Sequence, residues 1–592
     1  VSSLPPGPPP SSPPPSFPPP STPPPSTPPP SGPPPGAETL EYGAGGPIPP
    51  QPRPRSGGGG KRRWFLVAGG VVGLSALGAA AFGAWWYVST GPQPAQALPA
   101  GTLAYASLDL DPSGAQKVDA LRTLRELPAV DDEFDLSGDL GDIDVTRVLV
   151  ERILAEVPCD VTYDADVESW LGDRAAVAAV DTGGEEPSPV FVVQVSDPDA
   201  AVEGFDELAA CGSESDPEIG RDIVDDEWLV VAETPEIVAD VVDETADGSL
   251  ADDETYREWT DAAGDPGIVS LYAAPAAGEF LAENVEDLFF GASDFATTDE
   301  LVMPGDELGD GSTLTQPPVS DEVTDEMTKA LEDFEGMAMT LRFDDGAMEV
   351  EVAAGAGAVA DDLPEGRGAE ALETLPDDTA AALGLGFGEG WFDQMLASVA
   401  ASLGEDEETL IADLEAASGL SLPEDAETLA GESLVLAIGQ GFDLDAVFES
   451  EDGSDIPLAV KILGDPEGVE DVLGKVRTRL VEEGAPEELL GSGSEGDATA
   501  IGPSEDYRNE VLGDGGLGDS EVYQSVVPDQ DGAAGVLFVD LDAVTELIGG
   551  AGAMGDEDEV LRNLDPLRAL GVSSWLDDDG TSHALLRIST DD

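Results

Sequence analysis

The chain carries one histidine, His583, and two cysteines, Cys159 and Cys211, among 592 residues. Structural and catalytic zinc sites draw most of their ligands from Cys and His, so this inventory cannot assemble the usual ones. A Ser/His/Asp relay through His583 lacks a G-x-S-x-G elbow to present the serine. Strand alternation places His583 on the last strand, opposite Glu349, at a solvent-side position. Carboxylates are abundant, with 124 Asp and Glu, and glycoside hydrolysis needs just two of them, but no pair stands out. The sequence assigns no catalytic, cofactor-binding or metal-ligating residue, and no cofactor is expected.

Three patterns imitate sites. Asp243-x-Thr245-x-Asp247-Gly248, running on to Glu254, resembles a calcium loop. The matching stretch later in the chain has Glu510, Leu512, Asp514 and Glu521, and leucine cannot bind a cation. A shared structural role fits both stretches better: a glycine-terminated helix, a buried leucine (Leu250, Leu517), and Asp252 or Asp519 capping the next helix. Asp109-x-Asp111-x-Ser113-Gly114 ends in Ala120, where a calcium loop needs an acid. Gly513-x-Gly515-x-x-Gly518 matches a dinucleotide fingerprint literally but follows no strand.

Charge divides the chain sharply. Residues 1–63 hold Arg53, Arg55, Lys61, Arg62 and Arg63 against Glu38 and Glu41, a net of +3 in a chain of −100. The acidic remainder repels nucleic acid, so no nucleic-acid partner is expected. Its acidity is that of a solvated, salt-adapted surface or of one that binds cations or basic partners. Residues 1–63 form a disordered cytoplasmic tail, in which a Pro-Pro-Pro unit recurs every five residues from Pro8; proline removes the amide donor and fixes φ, which dictates extended polyproline II. The tail is either a tether or a docking strip for a cytoplasmic protein.

Residues 64–88, Trp64 to Val88, contain no charge. As a helix they are about 37 Å long, enough to cross a hydrocarbon core of ~30 Å. The cations precede the span and none follows before Lys117, which predicts a cytoplasmic N-terminus and an outer C-terminal region in the cell membrane. Gly69-x-x-x-Gly73 can pack two such helices into a homodimer. Outside the membrane, in an oxidising compartment, Cys159 and Cys211 are expected to form a disulfide, the alternative being two buried thiols.

Beyond a short linker (89–97), residues 98–357 and 373–590 repeat one order of elements across a second linker, 358–372. Leu98-Pro99-Ala100-Gly101-Thr102 answers to Leu375-Pro376-Asp377-Asp378-Thr379. Asp197-Pro198 and Asp465-Pro466 each open a helix after a strand. Asp247 to Tyr256 aligns with Asp514 to Tyr523, and each copy closes on an Asp-Gly hairpin, at Gly346 and Gly580. Each copy reads as five or six strands with crossing helices. The fold class is α+β: two tandem copies of a mainly antiparallel sheet.

These residues resemble a known family. LPAGTLAYASLDLDPSG (98–114) and SLADDETYREW (249–259), behind a Pro-rich tail and one span, are similar to actinobacterial single-pass membrane proteins catalogued as domain of unknown function 3352. The resemblance implies topology and no activity. The sequence as a whole predicts a non-enzymatic, membrane-anchored envelope module that binds or spaces something outside the cell. The alternative is a carboxylate-dependent hydrolase of cell-wall glycan, which would need a pocket with two close carboxylates and aromatic walls.

Overall fold

Apolar residues at every second position, punctuated by Asp-Gly turns, dictate antiparallel strands here, and proline at helix starts dictates where the crossings begin. In the strand from Ala347 to Gly355, burial alternates from Ala347 through Glu349 and Glu351 to Ala353, as a pleat with a period of two requires. The helices Pro198–Cys211 and Pro466–Glu483 begin with proline, whose missing N–H costs nothing there. Asp197 Oδ1 accepts from Ala200 N (3.2 Å) and Asp465 Oδ1 from Glu467 N (3.2 Å) at their first turns.

The computed structural model describes residues 93–109, 115–130, 145–155, 161–211, 219–283, 328–355, 368–442, 453–483, 490–550 and 562–590, apart from a few isolated positions within them. All of these belong to one compact unit. The Pro-rich tail, the apolar span with Gly69 and Gly73, Cys159 and residues 356–367 lie outside the described residues, as does the side chain of Cys211. Among the described residues no helix is long and apolar enough to cross a membrane.

The first half supplies β1 (Thr102–Asp109), β2 (Leu171–Val180), β3 (Ser188–Val195), β4 (Gly220–Val224), β5 (Trp228–Ala232), β6 (Val269–Ala273), β7 (Met337–Asp344) and β8 (Ala347–Gly355). The second supplies β9 (Thr379–Gly386), β10 (Ser433–Gly439), β11 (Leu458–Leu463), β12 (Ser492–Glu495), β13 (Ala498–Ile501), β14 (Gly535–Asp540), β15 (Leu567–Leu576) and β16 (Thr581–Thr590). They form one 16-stranded sheet in the order β12-β13-β11-β10-β9-β14-β15-β16-β8-β7-β6-β1-β2-β3-β5-β4. Counted inward from either edge, the order within each half is the same. The two final strands, β8 and β16, pair antiparallel at the centre, from Thr581↔Gly355 to Ser589↔Ala347.

Local details recur in both halves. Thr102 Oγ1 donates to Pro99 O and Thr379 Oγ1 to Pro376 O, both at 2.7 Å. Leu250 N donates to Leu98 O (2.8 Å) and Leu517 N to Leu375 O (3.0 Å). Tyr256 meets Tyr272 edge-on at 5.1 Å, and Tyr523 meets Phe538 at 5.3 Å. Each half buries one core around these rings, Trp228 and Trp259 in the first, Leu372 and Phe538 in the second. Smaller clusters form around Leu121 and Phe343, around Trp170 and Leu229, and around Ile462 and Leu473. Fully burying one such large side chain contributes roughly 2–3 kcal/mol.

The structure corrects several expectations. Among the described residues each half has eight strands, not five or six. The hairpin β4–β5 turns through Asp225 and Asp226, both at positive φ (55° and 56°), so a run of acids hides it. Its counterpart β12–β13 opens on the polar Ser-Gly-Ser-Glu. Both linkers also end inside the cores: Ala95 and Ala97 pack in the first, and Ala369, Ala371 and Leu372 in the second. The helix caps are Asp253 and Ser520, one residue beyond Asp252 and Asp519, accepting from Tyr256 N and Tyr523 N.

Candidate functional site

Four central strands, β7, β8, β16 and β15, carry polar side chains on one face. Arg342 pairs across to Glu349, and Glu349 pairs across to Arg587. In the next rung Thr340, Glu351, Leu585 and Ser573 stand in line. In the one after, Ala338, Ala353, His583 and Trp575 do so. One pleated face thus brings together residues more than 200 positions apart.

The charged groups are mutually engaged. Arg342 Nε lies 2.6 Å from Glu349 Oε2 and Arg342 Nη2 2.5 Å from Glu351 Oε2. Arg587 Nη1 lies 2.6 Å from Glu349 Oε1, and Arg587 Nη2 donates to Asp344 O at 3.3 Å. Glu349 therefore bridges both guanidiniums and is buried, with 3% exposure. Burial works against the Arg342 charge, but the Glu351 and Glu349 carboxylates outweigh it and raise its pKa above the usual value. Gly264, at φ +81°, leaves room for this ion pair: a Cβ there would collide with Glu351 Oε2 and Arg342 Nη1.

A cavity of about 570 Å³ opens over this row. The first half lines it with Asp265, Arg342, Asp344, Glu349 and Glu351, and the second with Pro528, Ala533, Trp575, Leu585 and Arg587. The volume falls within the range of small-molecule sites. Four carboxylates against two guanidiniums leave the lining two negative charges in excess.

His583 is buried, with 7% exposure, and is not on a solvent-side position. Its Cα partner on β8 is Ala353, while Glu349 faces Arg587. Its ring stacks on Trp575 at 4.9 Å and 4°. Its Nε2 lies 3.2 Å from Asp577 Oδ2, but neither ring nitrogen makes a hydrogen bond to a described residue. No hydroxyl among the described residues engages it.

The family described as "Protein of unknown function (DUF3352)" has a model that matches residues 68–452. The chain belongs to this family. The match crosses from the first half into the second and stops after β10, so the family's description covers the Glu349 and Glu351 wall but not Trp575 or Arg587. No curated protein and no solved structure matches the chain.

Two of the imitated patterns fall on described residues; Asp111 to Gly114 of the third lie outside them. Thr245 Oγ1 donates to Val241 O, inside its own helix, and Glu254 begins the following helix behind Asp253. Gly513 ends the helix Glu505–Leu512, and Gly515 packs against Pro376. Among the described residues no group of three or more His, Cys, Asp or Glu is placed to hold a metal ion. Sequence reading missed Arg342, Glu351 and Arg587. Their one signal was charge at alternate positions of otherwise apolar strands, which ordinarily marks a solvent face.

Proposed function

We propose that this chain is a membrane-anchored, extracytoplasmic binding or envelope-associated structural module without enzymatic activity, built by tandem duplication of one sheet unit. The observation that carries the non-enzymatic reading is the state of the central carboxylates. Glu349 Oε2 accepts from Arg342 Nε, its Oε1 is in ion-pair contact with Arg587, and Glu351 Oε2 accepts from Arg342 Nη2. A general acid for glycoside cleavage needs a carboxyl free to deliver its proton. The shared strand order and the paired Thr102 and Thr379 contacts support the duplication.

The uncharged segment 64–88 and the cations before it support the anchor and its orientation. Protease added to intact cells is expected to digest residues beyond 89 and spare a tail epitope. Loss of that epitope overturns the topology. Capture of partners from membranes with the intact chain, compared with tail-deleted protein, sorts cytoplasmic from outer contacts.

A second reading, a carboxylate-dependent glycan hydrolase, draws on Glu349, Glu351 and Trp575 lining one cavity. Release of reducing sugar from cell-wall glycan that disappears in Glu351→Gln would favour it over the module.

A further inference from the structure

We propose that the cavity at the seam of the two halves binds a small organic cation, an ammonium or guanidinium group carried on an apolar body. The proposal rests on the binding-module reading and names the ligand chemistry of that same site.

The cavity is asymmetric in a way that selects such a molecule. One wall, from the first half, is charged; the other offers Pro528, Ala533, Trp575 and Leu585 beside Arg587, whose charge is paired with Glu349. Glu351 is about nine-tenths buried and gives Arg342 its Oε2. No interaction from the described residues reaches its Oε1. Asp265 at the exposed rim adds a second carboxylate. That oxygen is open to the cavity, where an incoming N–H⁺ would meet a carboxylate in a setting less screened than bulk water.

Competing ligands fit less well. An anion meets a lining with two excess negative charges inside a chain of net charge −100. A divalent metal would need several converging oxygens, and here Arg342 and Arg587 stand between the carboxylates. A wholly apolar molecule would leave the charged wall desolvated and unpaired. The field of the acidic chain concentrates cations near the mouth, which also makes binding sensitive to salt.

The test is calorimetric titration of the full chain in detergent with phenethylammonium and agmatine, using phenethyl alcohol as the neutral isostere. The expected result is saturable one-site binding of at least one amine, at least tenfold weaker for the alcohol and weakened by added NaCl. Glu351→Gln keeps a hydrogen-bonding group for Arg342 and is expected to weaken binding at least tenfold. Asp265→Asn, on the exposed rim, is expected to weaken it severalfold without moving the melting temperature, which separates binding from folding. The proposal is overturned if neither amine binds the folded chain, if the alcohol binds equally well, or if both variants bind like the parent. Failure here with partner capture intact removes the ligand assignment alone. Glu351-dependent glycan cleavage removes the module reading itself.

Discussion

Arg587 and Glu349 face each other across the line where the two halves of the sheet meet, with Arg587 Nη1 2.6 Å from Glu349 Oε1. Both side chains are less than a tenth exposed, so the contact exchanges hydration for an ion pair in a low-dielectric setting. Such a pair contributes little net stability when formed, but breaking one side of it strands a buried charge.

Arg587→Met is therefore expected to cost about 3 kcal/mol in urea unfolding. The double variant Glu349→Leu with Arg587→Met is expected to cost clearly less than the single one, because Arg342 and Glu351 then remain as one balanced pair. Equal costs would show that the packing of these side chains, and not their charge, matters.

Gly264→Ala combines a positive φ with a collision against the Glu351 and Arg342 ion pair. A loss of about 2 kcal/mol is expected. Gly183→Ala has a similar φ (+74°) and nothing near the added methyl, so it measures backbone strain alone and should cost less. Thermal unfolding of the two variants checks the difference.

Lys461 occupies a buried core position on β11, bonded through Nζ to Thr374 Oγ1 at 2.6 Å. It pairs with Val435 as Val192 pairs with Ala176 in the first half. Burial lowers its pKa to about 8, with Asp514 opposing the shift. The unfolded chain holds that proton up to about 10.4. The folded chain therefore binds fewer protons between these values, and this group's contribution to stability rises with pH from about 8 to about 10. Lys461→Met is expected to be more stable than the parent at pH 7, by about 2 kcal/mol. The gap should narrow as pH rises; a gap constant across that window would remove the titration argument.

For Cys159 and Cys211, a bridge would close a loop of about 50 residues and remove unfolded-state entropy worth about 4 kcal/mol in the chain-entropy account. Unreduced, denatured protein is expected to take up no thiol reagent, and Cys159→Ser to lower the melting temperature. Uptake of two equivalents would show ordinary thiols.

Much of the architecture was legible in the residues because it follows from short-range physics. The pleat fixes which side chains of Ala347 to Gly355 share a face. Proline fixes where the helices at Pro198 and Pro466 begin, and the pairing of Leu98 with Leu375 and of Tyr256 with Tyr523 marks two halves of one plan. Three things were not local. The hairpins β4–β5 and β12–β13 carry no apolar period: β5 is a continuous apolar run buried at every position, and β12 is Ser-Gly-Ser-Glu. The segments at Ala95 and Ala369 read as linkers because their burial depends on a sheet formed by residues far along the chain. Above all, alternation shows that Glu349 and Glu351 share a face with Ala347 and Ala353, but not what covers that face. The pairing of β8 with β16 brings Arg587 and Leu585 beside them, and that pairing joins strands separated by more than 200 residues. Sequence determined the units and their faces; the closing of two sheets into one decided that a charged, seemingly solvated row became a buried seam with a cavity above it.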